Sequence, residues 1–315
     1  MEKGMEKMFT NVSLYSRLSL NRNGKMDMKT IALTAVTSTI CLSLGALASA
    51  APLPYTPDAD TQLLYHLDET SGTIAADASG NGRDATYRSQ VILGQTAQAG
   101  FDKAIRPQAS LNARTTYTDT GAGTDSFLYA DANASFTIDS WVKLDVTGYT
   151  GTSTIFTVAP SGSALMDYRL GVIGTDNVAN AGALSFSDRG RTNKLFTSGG
   201  LDWDVNTWYH VALEVNLDPD TPANSFIRII RNAADEAPVV LAELTGAAAL
   251  IANDASIADR NFEIGNQYAN NGDNFFPGLV DEVRFTRVIP EPATGALGLL
   301  GLSVMMFKNR RSPNN

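Results

Sequence analysis

The 315-residue chain reads as an all-β protein, a two-sheet antiparallel β-sandwich, on three observations. Its middle segments alternate apolar and polar side chains with period two, they are short, and clusters of Gly, Asn, Asp and Pro separate them. Strands of this kind bury their apolar faces by stacking one sheet on another.

In chain order, the first strand is expected over Gln62–Leu67. Over Ser135–Leu144 the alternation puts Phe136, Ile138 and Val142 on one face, with Thr137, Asp139, Trp141 and Lys143 on the other. Ser153–Val158, Asp167–Ile173 and Ala183–Phe186 follow as strands. Trp208–Val215 gathers Tyr209, Val211, Leu213 and Val215 on one side. Ser225–Arg231, Val239–Leu244, Asn261–Ile264 and Leu279–Phe285 complete the set. One alanine-rich stretch, Ala242–Asn253, is compatible with a helix, although it holds Gly246.

The two ends read as processing segments, so the folded domain is expected over residues 56–287. Within 1–50, Lys29, the apolar run Ile31–Leu47 and the small residues Ala48, Ser49 and Ala50 form a secretory signal pattern. Residues before Met26 have no pattern, and initiation at Met26 or Met28 accounts for them. Cys41, the single cysteine, lies in that apolar run, so the exported chain is expected to have no disulfide. Within 288–315, Pro290, Glu291 and Pro292 precede an apolar run, Ala293–Phe307, and then Lys308, Arg310 and Arg311. This order resembles the PEP-CTERM sorting signal. It implies an exosortase as partner during export, with transient membrane association through the apolar segment and its basic end kept on the cytoplasmic side. The expected destination is the cell surface or extracellular matrix of a Gram-negative-type bacterium. The formal net charge is −9 and the basic residues are scattered, which argues against nucleic acid as a partner.

Five blocks carry a second resemblance. They are Leu64–Gly72, Asp77–Ala85 (Asp-Ala-Ser-Gly-Asn-Gly-Arg-Asp-Ala), Phe136–Val142, Trp208–Ala212 and Phe276–Arg284. In this order they resemble the bacterial laminin G-like/concanavalin A-like domains. The resemblance implies a jelly roll whose first and last strands lie close together.

Asp77, Ser79, Asn81 and Gly82 follow the spacing of the first half of a calcium loop, but Arg88 stands where an EF-hand would need glutamate. The family resemblance suggests a structural calcium ion held near the joined termini by Asp281 with Asp77 and Asn81, helped by Asp68 and Asp84. The same residues equally suit a hydrogen-bonded turn. For carbohydrate, Trp203, Tyr268 and Phe275 offer aromatic platforms, and Asp273 with its neighbouring amides offers polar contacts. Catalysis has little support. Related glucanases carry paired glutamates on one strand, whereas Glu263 and Glu214 each stand alone and Asp281 and Glu282 should point to opposite faces. The two histidines, His66 and His210, with no cysteine beyond Cys41, leave little for a triad or a zinc site. The reading is therefore a non-catalytic surface or matrix protein that binds glycan, with exopolysaccharide as the candidate. A structural protein-binding matrix component and a diverged glycoside hydrolase or lyase are the alternatives.

Overall fold

The computed structural model describes residues 51–108, 113–121, 126–130, 135–145, 149, 151–161, 166–177, 179–188, 192–197, 204–218, 220–233, 236–249, 251, 256–267 and 274–287. The signal segment, Cys41 and the Pro290-Glu291-Pro292 tail lie outside them. In chain order the strands are β1 (Thr61–Tyr65), β2 (Ile74–Ala75), β3 (Ala85–Tyr87), β4 (Ile92–Thr96), β5 (Lys103–Arg106), β6 (Thr115–Asp119), β7 (Ser135–Leu144) and β8 (Thr152–Pro160). Then come β9 (Tyr168–Ile173), β10 (Leu184–Asp188), β11 (Thr192–Phe196), β12 (Trp208–Asn216), β13 (Phe226–Ala233), β14 (Val239–Thr245), β15 (Arg260–Ile264) and β16 (Gly278–Arg287).

They form two eight-stranded antiparallel sheets. The first runs β14-β13-β12-β7-β16-β5-β4, with β1 also on β16, and the second runs β11-β10-β9-β8-β15-β6-β3-β2. As the family resemblance implied, the first and last strands pair, Tyr65 opposite Val283 and Thr61 opposite Thr286.

The alternation decides which faces meet. Phe136, Ile138 and Val142 of β7 and Tyr209, Val211, Leu213 and Val215 of β12 enter one core with Phe156, Tyr168, Phe262 and Phe285. Phe285 stacks on Phe136 at 5.4 Å and meets Phe262 of the opposite sheet edge-on at 6.2 Å. Phe262 in turn stacks on Phe156 at 6.2 Å. This aromatic column joins the two sheets by the ring geometries that such pairs prefer. Trp141 points the other way, as expected, into a smaller outer cluster with Trp208, Leu279 and Ala104, against which Tyr55 and Phe101 pack.

Two expectations need correction. No α-helix occupies the described part of Ala242–Asn253: β14 runs on to Thr245, and Gly246, at a left-handed φ of 70°, opens a 3-10 turn over Gly246–Ala249. In addition, β2 to β6 and β11 were not foreseen. They are short, or polar like Thr-Thr-Tyr-Thr-Asp in β6, and are placed by ladder pairing, β6 with the distant β15 and β11 with its hairpin neighbour β10.

Phe285→Ala would empty the centre of the column. The expected loss is about 3–5 kcal/mol in reversible denaturant unfolding, whereas a loss below about 1 kcal/mol would show that the column does not join the sheets.

Candidate functional site

Four places in the sandwich gather the polar side chains that could do chemistry. The first is the turn between β2 and β3. Asp77 Oδ1 accepts hydrogen bonds from the backbone N–H of Leu64 (3.1 Å) and Ser79 (3.0 Å), and Oδ2 accepts from Ser79 Oγ (2.8 Å) and the N–H of Arg83 (2.9 Å). Asn81 Nδ2 donates to the carbonyls of Thr61 and Gln62, and Asp84 Oδ1 accepts from the N–H of Asp77. Gly80 and Gly82, both at positive φ, allow the reversal. The motif is a side-chain-built turn clamped onto β1.

The second place is the middle of β16. Asp281 is fully buried; Oδ1 accepts the N–H of Glu282 at 2.9 Å and Oδ2 has no partner among the described residues. Burial, and next the charge of Glu282, push the Asp281 carboxyl up to about 9. Glu282, also buried, accepts the N–H of Tyr55 at 2.8 Å and contacts His66 Nδ1 at 2.8 Å, a bond that raises the His66 pKa. The sequence led us to expect Asp281 and Glu282 on opposite faces. The irregular register between Asp281 and Arg284, with Glu282 at φ 48°, breaks the alternation and leaves the two carboxyls close enough to interact. Asp68 accepts the N–H of Lys103 at 2.7 Å; burial, and then the charges of Asp102 and Glu282, raise its pKa, and its charge adds to the rise at Asp281.

The residues expected to hold calcium divide between two places. Asp77, Asn81 and Asp84 come together, but as the turn, and both Asp77 oxygens already accept two hydrogen bonds each. Asp281 and Asp68 stand in other surroundings, and among the described residues no three His, Cys, Asp or Glu side chains are grouped so as to hold a metal ion.

The third place is the outward face of the second sheet. Register places Thr116, Glu263, Thr157, Arg169 and Ser187 in a row across β6, β15, β8, β9 and β10. Glu263 Oε1 lies 3.0 Å from Arg114 Nε, and Arg169 reaches Gln267 Oε1 and Ser187 Oγ, each at 3.4 Å. The polar positions alternating with Phe262 in β15 were the available signal for this row, but its arginines come from other strands. Glu214 lies on the other sheet, 3.5 Å from Arg228. His210 contacts Asn232 at 2.9 Å, and burial lowers its pKa.

The fourth place is a cleft of about 400 Å3 at one end of the sandwich, lined by Gln90, Arg106, Gln108, Asp145, Phe275 and Pro277 among others. Arg106 ends β5, and Asp145, which follows β7, is its ion-pair partner; the N–H of Asp145 donates to the Pro277 carbonyl at 3.0 Å. Phe275 is half-buried and faces the cleft, while its neighbour Phe276 is wholly in the core. Of the expected sugar contacts, Phe275 is thus placed in a concave site; Trp203, Tyr268 and Asp273 lie outside the described residues. Gln90, Arg106, Gln108 and Asp145 were not anticipated, because they converge only after folding.

A stacked pair of antiparallel sheets with a cleft at its end defines a β-sandwich of lectin-like build. The chain belongs to the concanavalin A-like lectin/glucanases superfamily, whose model matches residues 112–291. A comparison with curated proteins finds no match. Among solved structures, Trypanosoma rangeli sialidase is similar at 15% identity and a TM-score of 0.48, over 82% of this chain and 36% of the sialidase. The chain thus spans little more than a third of that protein. A PL-14 alginate lyase from Aplysia kurodai is similar at 9% identity and a TM-score of 0.43, over 74% of this chain and 100% of the lyase. Lectin I-B4 from Griffonia simplicifolia is similar at 12% identity and a TM-score of 0.38, over 65% of this chain and 91% of the lectin.

The buried carboxyl of Asp281 yields a signed prediction. Its ordinary value is 3.8 and its folded value about 9, so the folded state resists its ionisation and loses stability as pH rises from about 4 towards 9. Asp281→Asn should therefore raise the melting temperature at pH 7 and leave it unchanged near pH 3.5, with Ca2+ and chelator without effect on either protein. A lower melting temperature at pH 7, with a Ca2+-induced rise confined to the native chain, would mean that a cation occupies the site.

Proposed function

We propose that the chain is an exported surface or matrix module that holds glycan in the Phe275 cleft without cleaving it. The observation that carries this reading is a half-buried aromatic ring set in a concave site beside two carboxamides, Gln90 and Gln108, and the Arg106–Asp145 pair. A sugar ring offers one apolar C–H face and a rim of hydroxyls. An aromatic face suits the first, and amide and charged groups in fixed positions suit the second. Membership of the superfamily is consistent with such a ligand.

The distribution of carboxylates supports a non-catalytic role. Glycoside hydrolysis commonly needs an acid and a second carboxyl about 5–9.5 Å apart across one bond. Glu263 is ion-paired with Arg114 on the second sheet, and Glu214 sits on the first. The Phe275 cleft itself has Asp145 as the one carboxylate among its described lining residues. Export rests on the terminal segments: the signal pattern ending at Ala50 and the Pro290-Glu291-Pro292 motif support passage through the inner membrane and processing by an exosortase.

The reading is tested by affinity electrophoresis in gels carrying bacterial exopolysaccharides. The native chain should be retarded by at least one of them, and Phe275→Ala should weaken that retention about tenfold, the worth of one aromatic face. Glu263→Gln should leave it unchanged, and no new sugar ends should appear on prolonged incubation. Retention indifferent to Phe275, or release of fragments that Glu263→Gln abolishes, would overturn the proposal.

A further inference from the structure

The charges around the same cleft say more about its ligand. We infer that the glycan it selects is anionic, a chain of uronate-type sugars; this inference rests on the glycan reading of the cleft. The protein as a whole is acidic, with a formal net charge of −9, yet its cleft is not. Arg106 and Lys143 both face the carboxylate of Asp145, Arg106 in a close ion pair and Lys143 Nζ at 3.9 Å from Oδ1. Asp145 is the only acid among the described lining residues; Lys143, which does not line the cleft, shares that carboxylate with Arg106, so the Arg106–Asp145–Lys143 group carries one net positive charge.

The arrangement also directs that charge. The Asp145 side chain is only 16% exposed and its backbone is tied to Pro277, whereas the Arg106 side chain is 34% exposed at the cleft. A guanidinium has five N–H donors in a rigid plane, and a carboxylate on one edge leaves the others for a second acceptor. Asp145 thus acts as a positioning residue that holds the Arg106 plane, and the remaining donors suit a planar carboxylate on a sugar. Phe275 supplies the platform for the ring and Gln90 and Gln108 supply neutral partners for hydroxyls. A neutral sugar could use the platform and the amides but would leave the surplus cation without a counter-charge. A uronate supplies that charge, through a hydrogen bond about twice as strong as a neutral one.

The test compares ligands that differ only in this charge. Oligogalacturonate, oligomannuronate and oligoglucuronate, each beside its fully methyl-esterified form, are titrated calorimetrically into the full chain and into Arg106→Gln, Arg106→Lys and Phe275→Ala. Thermal melts confirm that each variant is folded. The expected result is that at least one acid form binds about tenfold tighter than its ester. That preference should vanish in Arg106→Gln and survive in part in Arg106→Lys, which keeps the charge and maintains the inference even if the Gln variant fails to fold. Phe275→Ala should weaken acid and ester alike. Equal affinity for acid and ester, still dependent on Phe275, would overturn the charge inference while leaving the glycan reading intact. A preference that outlasts Arg106→Gln, or no binding of any acid form, would also overturn it.

Discussion

The contact on which the structure depends is the meeting of Phe285 with Phe136 beside it and Phe262 across from it. A β-strand has two faces, and a sheet of this size in water is stable only if one of them is covered. Here the covering is mutual: each sheet supplies the apolar surface that the other needs, and the aromatic column fixes their spacing. The strand that contributes Phe285, β16, pairs with β7, β5 and β1. It ties the beginning, middle and end of the domain into one ladder, so the column acts on segments more than 200 residues apart in the chain.

The cleft follows from that arrangement. It forms where the end of β5, the residue after β7 and the start of β16 leave the sheet together, and close approach of backbone keeps it in shape. At Gly278 a Cβ would lie 1.9 Å from the carbonyl oxygen of Lys143, and at Gly265 it would lie 2.2 Å from the ring of Pro107. Glycine at these two points lets the backbone approach Pro107 and the end of β7 closely. The cleft-lining groups thus sit on short segments anchored by rigid strands, the arrangement in which a loop can present a fixed set of contacts.

Much of the fold was legible because period-two alternation is a local property. Strands β7 and β12 were bounded almost to the residue and their core faces assigned correctly, since long alternating runs with large apolar side chains leave little ambiguity. Strands such as β6 escaped because threonine and aspartate carry no burial signal; their place is decided by partners such as β15, more than 140 residues away. The site divides in the same way. Phe275 was legible as an aromatic in an amide-rich loop, but Arg106 and Asp145 meet only through the sheet. The Asp77 motif permitted two readings from spacing alone, an ion loop or a turn; the backbone bonds that Asp77 accepts from Leu64 and Arg83 connect elements that spacing does not show. The bulge at Glu282 could not be foreseen from the local pattern, because nothing in Asp-Glu-Val-Arg distinguishes a regular strand from an interrupted one.

The proposed function puts ligand contact at the end of the sandwich rather than on the polar outward face of the second sheet. Amide chemical-shift mapping of the isotope-labelled chain, with a retained polysaccharide fragment added stepwise, distinguishes the two directly. Shifts confined to Gln90, Arg106, Gln108, Asp145 and the segment Phe275–Gly278 are the predicted result. Shifts centred on Thr116, Thr157, Arg169, Ser187 and Glu263, with the cleft silent, would contradict it.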